Sequence, residues 1–320
     1  MRTLATVLLT SLVTVSAAQE KAVQAPVHGK GYQDIQTLVM DVAPTASGAV
    51  IAITYWIDHG APGQQELPVA SGVVGTGFLV DAQGDFITAA HVAKIKEIGP
   101  AERRIKVRLT AIIRQRSGDG SGVPFTVVEV DEGHDLALCH IDSFRVFPPA
   151  DSPTAKTQAQ HLSEKGALSI EDVAHPFASL AISKSAPRVG HFVLVSGFPL
   201  GSWTPAIQFG LVSAVRTIYP PETPVAGVPK DRGQLLQISV SANHGNSGGP
   251  VIDLSSGQVV GVILQIVPAP LAVGGQQLYD SGTFAMSGIM LAAPASWVEG
   301  LLTKHNIKSQ SARTGKLVIW

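Results

Sequence analysis

Most apolar residues of this chain fall in short runs rich in Val, Ile, Thr and Phe, separated by Gly, Pro, Asp and Ser. Such runs predict strands over residues 49–57, 73–80, 86–90, 105–114, 125–130 and 136–141. A second set is predicted over 191–198, 206–216, 234–240, 251–253, 259–266 and 283–291. Helical spacing is rare. Residues 34–42 predict a short N-terminal helix ended by Ala43-Pro44, because the residue before a proline is driven out of helical conformation. Residues 295–302 predict a C-terminal helix, with Pro294 placed to start it. Many short strands with turn residues between them predict an all-β fold, a sandwich or barrels.

The strands divide into two β halves, 33–146 and 188–303, the second carrying the C-terminal helix. Residues 147–187, rich in Pro, Ser, Ala, Lys and Gln, are expected to be a linker with an insertion and a helical turn around 168–173. Residues 304–320 are expected to be a tail. At the other end, Arg2 precedes an uncharged apolar stretch over 4–15, and Ser16-Ala17-Ala18 then gives way to Gln19-Glu20. That order predicts a signal peptide over 1–18, too short to span a bilayer, followed by a flexible mature N-terminus over 19–32. The expected location is periplasmic or extracellular, without a membrane anchor after cleavage.

Composition narrows the picture. Cleavage leaves about 300 residues, enough for one large domain or two smaller ones. Apolar residues are 45% of the chain and charged ones 15%, so a sizeable core is available. A net charge of -1 supplies no basic footprint for nucleic acid. Cys139 is the one cysteine, so no internal disulfide can hold the fold.

Three local sequences carry candidate chemistry. In Gly245-Asn246-Ser247-Gly248-Gly249-Pro250, glycines let the backbone turn sharply around a serine and aim amide N–H groups at one point. Alone it also reads as an ordinary Gly-rich hairpin, since serine is a poor nucleophile without an adjacent base. In Phe86-Ile87-Thr88-Ala89-Ala90-His91-Val92, a strand ends on small residues that leave room for an imidazole. Histidine can take a proton from a hydroxyl and return it, although a lone strand-end histidine is more often structural. In Asp131-Glu132-Gly133-His134-Asp135-Leu136-Ala137-Leu138, Asp135 directly precedes an apolar run and should be partly buried. A buried carboxylate needs partners, and holding an imidazole by its second nitrogen would meet that need. Asp131 and Asp142 are the competing carboxylates. Cys139 and His140, neighbours on a strand, point to opposite faces and form no dyad.

The chain order His91, Asp135, Ser247, split between two β halves, resembles that of the trypsin-like serine proteases, and the chain looks closest to the HtrA (Deg) type. Gly75-Thr76-Gly77-Phe78, Gly197-Phe198-Pro199-Leu200-Gly201 and Phe209-Gly210-Leu211-Val212-Ser213-Ala214 extend the resemblance, which covers about residues 35–302.

The resemblance implies a chymotrypsin-like fold of two six-stranded antiparallel β-barrels with the active site in the cleft between them. It implies that Ser247 attacks a peptide carbonyl, His91 takes its proton and Asp135 orients the imidazole, with no metal or cofactor. The amides of Gly245 and Ser247 would form the oxyanion hole. Val240, Ser241, Ala242, Leu264, Gln265, Ile266 and the strand near Ser287-Gly288 would line the substrate pocket. None of these is acidic, so a small or medium apolar residue is the expected preference. Expected partners are polypeptides, unfolded proteins among them; oligomeric state stays open.

Departures accompany the match. Asn246 stands where digestive members have an Asp that pairs with a new N-terminus, so activation by N-terminal insertion is not expected. His244, beside the turn, is read as a loop residue. Residues 304–320 are too short for the PDZ domain that HtrA enzymes usually carry, so none is expected. The competing readings are a catalytically inactive binding protein of the same fold and an esterase. The latter would place Gly-x-Ser-x-Gly before a helix, whereas Val251-Ile252 continues as strand.

Overall fold

The computed structural model describes residues 30–57, 71–81, 83–99, 105–112, 124–141, 144–147, 168–169, 177–218, 228–231, 233–241, 243–269, 272–273, 276–277, 285–314 and 316–319. The chain forms two compact units, Met1–Thr37 and Leu38–Trp320. Of the first, residues 30–37 are described, and they begin helix α1, Lys30–Ala49. The signal peptide and most of the flexible segment expected over 19–32 lie outside the described residues.

Helix α1 is longer than its pattern predicts and passes through Pro44. An interior proline removes the bond to the carbonyl four residues back. That residue, Met40, is 65% exposed, where water can replace the lost donor. Beyond the proline, Ala46 and Ala49 are fully buried, so packing carries the helix on.

The first β half contains β1 (Val50–Trp56), β2 (Ser71–Leu79), β3 (Asp85–Ala89), helix α2 (Ala90–Ala93), a small pair β4 (Glu97–Ile98) and β5 (Ile105–Lys106), then β6 (Arg108–Ile112), β7 (Thr126–Asp131) and β8 (Leu136–His140). Six of these strands form an antiparallel sheet in the order β6-β1-β2-β3-β8-β7. Among the described residues β6 and β7 do not pair with each other, so this half is an open six-stranded sheet where a closed barrel was expected. A bulge on β7 between Val127 and Glu129 offers a reason, since bulges at sheet edges bend the strand and end pairing. Phe78, Phe86, Ile51, Ile53, Leu136 and Leu138 fill its core.

Strands β9 (Phe144–Phe147), β10 (Leu168–Ser169) and β11 (Phe177–Ser179) follow. Leu168–Ser169 is thus extended where a helical turn was expected; residues 170–173 lie outside the described residues. The second half contains β12 (Phe192–Gly197), β13 (Ala206–Thr217), β14 (Gln234–Ser239), β15 (Pro250–Asp253), β16 (Val259–Ala269), a small pair β17 (Ala272–Val273) and β18 (Gln276–Gln277), and β19 (Ala285–Pro294). Here the six long strands close fully, in the order β12-β13-β14-β19-β16-β15. Val193, Val195, Val212, Ile238, Val251, Ile263 and Met290 pack inside. Helix α3 (Ala295–Lys304) then buries Val298, Leu301 and Leu302.

The last residues are more than a tail. Strands β20 (Ala312–Thr314) and β21 (Lys316–Ile319) pair with β11, β9 and β10. The apolar run Leu317-Val318-Ile319 suits a strand, but its partners are more than a hundred residues away in sequence.

At the β2–β3 turn, Asp81 is 7% exposed and accepts the amides of Gln83 at 2.8 Å and Asp85 at 3.1 Å. Burial, helped by the neighbouring Asp85 carboxylate, pushes its carboxyl up from 3.8 to about 6. The folded chain therefore holds a proton that the unfolded chain releases, and stability from this site falls as pH rises from about 4 to about 6. In Asp81→Asn that fall should be absent. The variant gains on the order of 1–3 kcal/mol over wild type across the interval, read from urea unfolding at each pH. A constant difference between the two proteins would count against this role.

Candidate active site

The small residues at the end of β3 let the chain turn at once into α2, which carries His91. Asp135 comes from the turn between β7 and β8, on the neighbouring strand pair. Its backbone is left-handed, with φ of 56°, a conformation that aspartate tolerates better than most residues. This brings the residue back toward α2: the Ala90 N–H donates to the Asp135 carbonyl at 3.0 Å. The carboxylate then takes two bonds from His91, the backbone N–H to Oδ1 at 2.9 Å and ring Nδ1 to Oδ2 at 2.7 Å. Asp135 is 8% exposed, so the pair is shielded. With Oδ2 accepting from Nδ1–H, Nε2 is left as the ring's proton acceptor.

The competing carboxylates do not share this site. Asp131 accepts from the ring of its own neighbour His134 at 2.7 Å, and Asp142 lies outside the described residues. Cys139 is fully buried, burial pushes its thiol up, and His140 is bonded to Asp85. Among the described residues no group of three or more His, Cys, Asp or Glu side chains is placed to hold a metal ion.

Ser247 lies in the turn before β15, and the structure presses that turn against the first half. The Thr76 N–H on β2 donates to the Ser247 carbonyl at 2.8 Å. Gly248, at φ of 86°, approaches so closely that an added Cβ would sit 2.1 Å from the Thr76 carbonyl and 2.3 Å from Thr88 Oγ1. Thr88 is three residues before His91, so strand β3 brings the two motifs together. The Ser247 hydroxyl donates a long 3.4 Å bond to the Leu264 carbonyl, and among the described residues no hydrogen bond joins it to His91. Long or unmade hydrogen bonds between a nucleophile and its base are common before substrate binds.

The two N–H groups expected to form an oxyanion hole are set by their carbonyl partners. In a planar trans peptide the C=O and the following N–H point in opposite directions. The His244 carbonyl accepts from Leu200 N at 2.6 Å, which turns the Gly245 N–H away from that loop. The Asn246 carbonyl accepts from Gly249 N at 2.9 Å, which turns the Ser247 N–H away from Gly249. Among the described residues neither N–H donates to a protein acceptor. Gly245 has φ of 95°, and a Cβ there would fall 2.1 Å from the Phe198 carbonyl, so glycine is required. His244 thus serves through its backbone, as a loop residue.

Thr76, which the sequence offered only as part of the Gly75–Phe78 resemblance and with no role, organises this corner. Its hydroxyl donates to the Gly245 carbonyl at 2.6 Å and accepts the Phe198 N–H at 3.1 Å, tying β2 to both loops of the turn. Of the expected pocket residues, Val240 and Leu264 are buried, and Val240 N donates to the Gly288 carbonyl at 3.0 Å. Gln265 and Ile266 pair with Leu291 and Met290 of β19. The Ser241 carbonyl accepts from Gln208 at 2.9 Å. Ala242 lies outside the described residues.

Two successive sets of six antiparallel strands, the second closed into a barrel and the first left open between β6 and β7, make a chymotrypsin-like fold with its first barrel incomplete. The chain belongs to the trypsin-like peptidase domain family, whose profile matches residues 75–262. Among curated relatives, the bovine (Bos taurus) mitochondrial serine protease HTRA2 is 27% identical over 225 residues, 70% of this chain and 37% of that one. A probable periplasmic serine endoprotease DegP-like from Chlamydia pneumoniae is 29% identical over 267 residues, 81% of this chain and 38% of that one. The chain therefore spans little more than a third of the length of these two relatives. The solved HtrA-type protease AlgW with a decapeptide matches with a TM-score of 0.50 at 18% identity, over 85% of this chain and 68% of that one, a likeness of fold.

Proposed function

We propose that this protein is an exported serine endopeptidase acting through Ser247, His91 and Asp135. The observation that supports this most is the double hold of Asp135 on His91, which leaves Nε2 free to accept a proton. In the proposed reaction Ser247 Oγ attacks the peptide carbonyl as its proton passes to His91. Charge on the carbonyl oxygen is met by the N–H groups of Gly245 and Ser247. His91 then protonates the departing amine, leaving an acyl group on Ser247. Water attacks that ester, giving its proton to His91, and the acid is released as Oγ is reprotonated.

The substrates are polypeptides, unfolded proteins among them, and the Chlamydia relative's description favours a periplasmic or extracellular site of action. Val240, Leu264 and Ile266 favour a small or medium apolar residue before the scissile bond. Burying a Lys or Arg among them without a carboxylate would leave a charge unpaired. A peptide library should therefore show apolar residues preferred over Lys and Arg by more than about tenfold. Efficient cleavage after Lys or Arg would sink this assignment.

The test of the function itself is covalent labelling. A fluorophosphonate probe should attach to Ser247, located by peptide mapping, and abolish casein hydrolysis in the same proportion. A chain that neither labels nor cleaves between neutral and mildly alkaline pH would instead be a binding protein of this fold.

A further inference from the structure

The turn around Ser247 contains a buried amide that the proposed reaction does not use. Asn246, between the two proposed oxyanion donors, is 1% exposed. Its Nδ2 donates to Oε1 of Gln208 at 3.0 Å, and Gln208 Nε2 donates to the Ser241 carbonyl at 2.9 Å. Gln208 belongs to β13, on the wall of the closed barrel, and its backbone is held in register against Val195 of β12. One strand thus reaches with one side chain to both Ser241 and Asn246.

We propose that Gln208 is a positioning residue for the oxyanion hole; this rests on the reading of Ser247 as nucleophile. The peptide planes bearing the Gly245 and Ser247 N–H groups are related by the backbone angles of residues 245 and 246. Gly245 imposes little restraint of its own, since glycine samples many conformations. A restraint on the Asn246 side chain therefore restrains how the two donors face each other. The Asn246 Oδ1 is buried with no partner among the described residues, so the bond from Nδ2 to Gln208 is what its amide has. Breaking it would leave a buried donor unsatisfied as well, which disfavours any loosening of this turn. Glutamine suits both contacts at once: its carbonyl end meets a donor and its amino end meets a carbonyl, and the flipped amide would set like against like. Neither partner ionises, so this brace needs no new N-terminus and no particular pH.

The experiment compares Gln208→Met, which keeps length but loses both bonds, with Gln208→Glu, which keeps an acceptor for Asn246 and loses the donor to Ser241. The readouts are kcat and KM on a peptide that the wild type cleaves, and the inhibition constant of a matching peptide boronate. For Met, kcat is expected to fall by about tenfold to a hundredfold with KM unchanged, and boronate affinity to fall in step. Glu should retain more of kcat than Met. Should the Met variant not fold, the Glu variant alone must show a fall in kcat at constant KM. Wild-type kcat and boronate affinity in the variants would overturn the proposal, as would a rise in KM at constant kcat. With an active wild type, those outcomes remove Gln208 only; a wild type that neither turns over nor binds boronate removes the nucleophile assignment and this proposal together.

Discussion

Replacing Ser247 with Ala is expected to lower kcat by about six orders of magnitude while leaving KM and the fold unchanged. The structural cost should be small because the bonds that hold this turn are made by backbone groups. The Ser247 carbonyl accepts from Thr76 N, and the Asn246 carbonyl accepts from Gly249 N, with or without the hydroxyl. The hydroxyl itself makes one long bond, 3.4 Å to the Leu264 carbonyl, which contributes little. Substrate recognition should also survive, since the pocket and the two N–H groups are untouched. What disappears is the acyl-enzyme route, and water must then attack the peptide directly. The residual rate above background should come from the oxyanion donors and from binding. Initial rates on a fluorogenic peptide, with a denaturation midpoint as control, measure this. A variant keeping more than about 1% of kcat would show that the nucleophile is elsewhere.

The strands were legible in the sequence, and the three side chains of the proposed triad could be nominated from it, because each depends on a local pattern. Short runs rich in Val, Ile, Thr and Phe set the strands of both halves within a few residues of their observed bounds, except that 105–114 divides into β5 and β6. His91, Asp135 and Ser247 each stand at the edge of an apolar run with small or turn-forming neighbours. The features that were not legible depend on partners distant in sequence. Leu168–Ser169 is a strand because Val318 and Ile319 lie beside it, and no pattern within residues 168–173 can announce that. Helix α1 continues past Pro44 because Ala46 and Ala49 are buried, a tertiary effect that overrides the local penalty. Thr76 and Gly245 are 169 residues apart, so a threonine between two glycines gave no sign that its hydroxyl holds the turn. Gln208 was similarly silent, because a polar residue on a strand ordinarily faces solvent.

Replacing Asp135 with Asn is expected to lower kcat by about four orders of magnitude at neutral pH, with little change in stability or KM. The argument follows from the two bonds that His91 makes to this carboxylate. The His91 backbone N–H is an obligate donor, 2.9 Å from Oδ1, so an asparagine there must place its one carbonyl oxygen at that position. Its NH2 group then occupies the place of Oδ2, 2.7 Å from ring Nδ1 in the wild type. Donor now faces Nδ1, which must become an acceptor, and the ring proton moves to Nε2. An imidazole protonated at Nε2 cannot take the proton of Ser247, so the base is lost while every heavy atom stays near its place. Backbone strain should not confuse the result, since asparagine tolerates the left-handed conformation that Asp135 adopts at φ of 56°. The tautomer change can be seen directly, as a reversal of the two ring nitrogen shifts of His91 in ¹⁵N spectra. A slow variant with the wild-type tautomer would mean that Asp135 acts through charge or packing alone. A variant of full activity would remove Asp135 from the site.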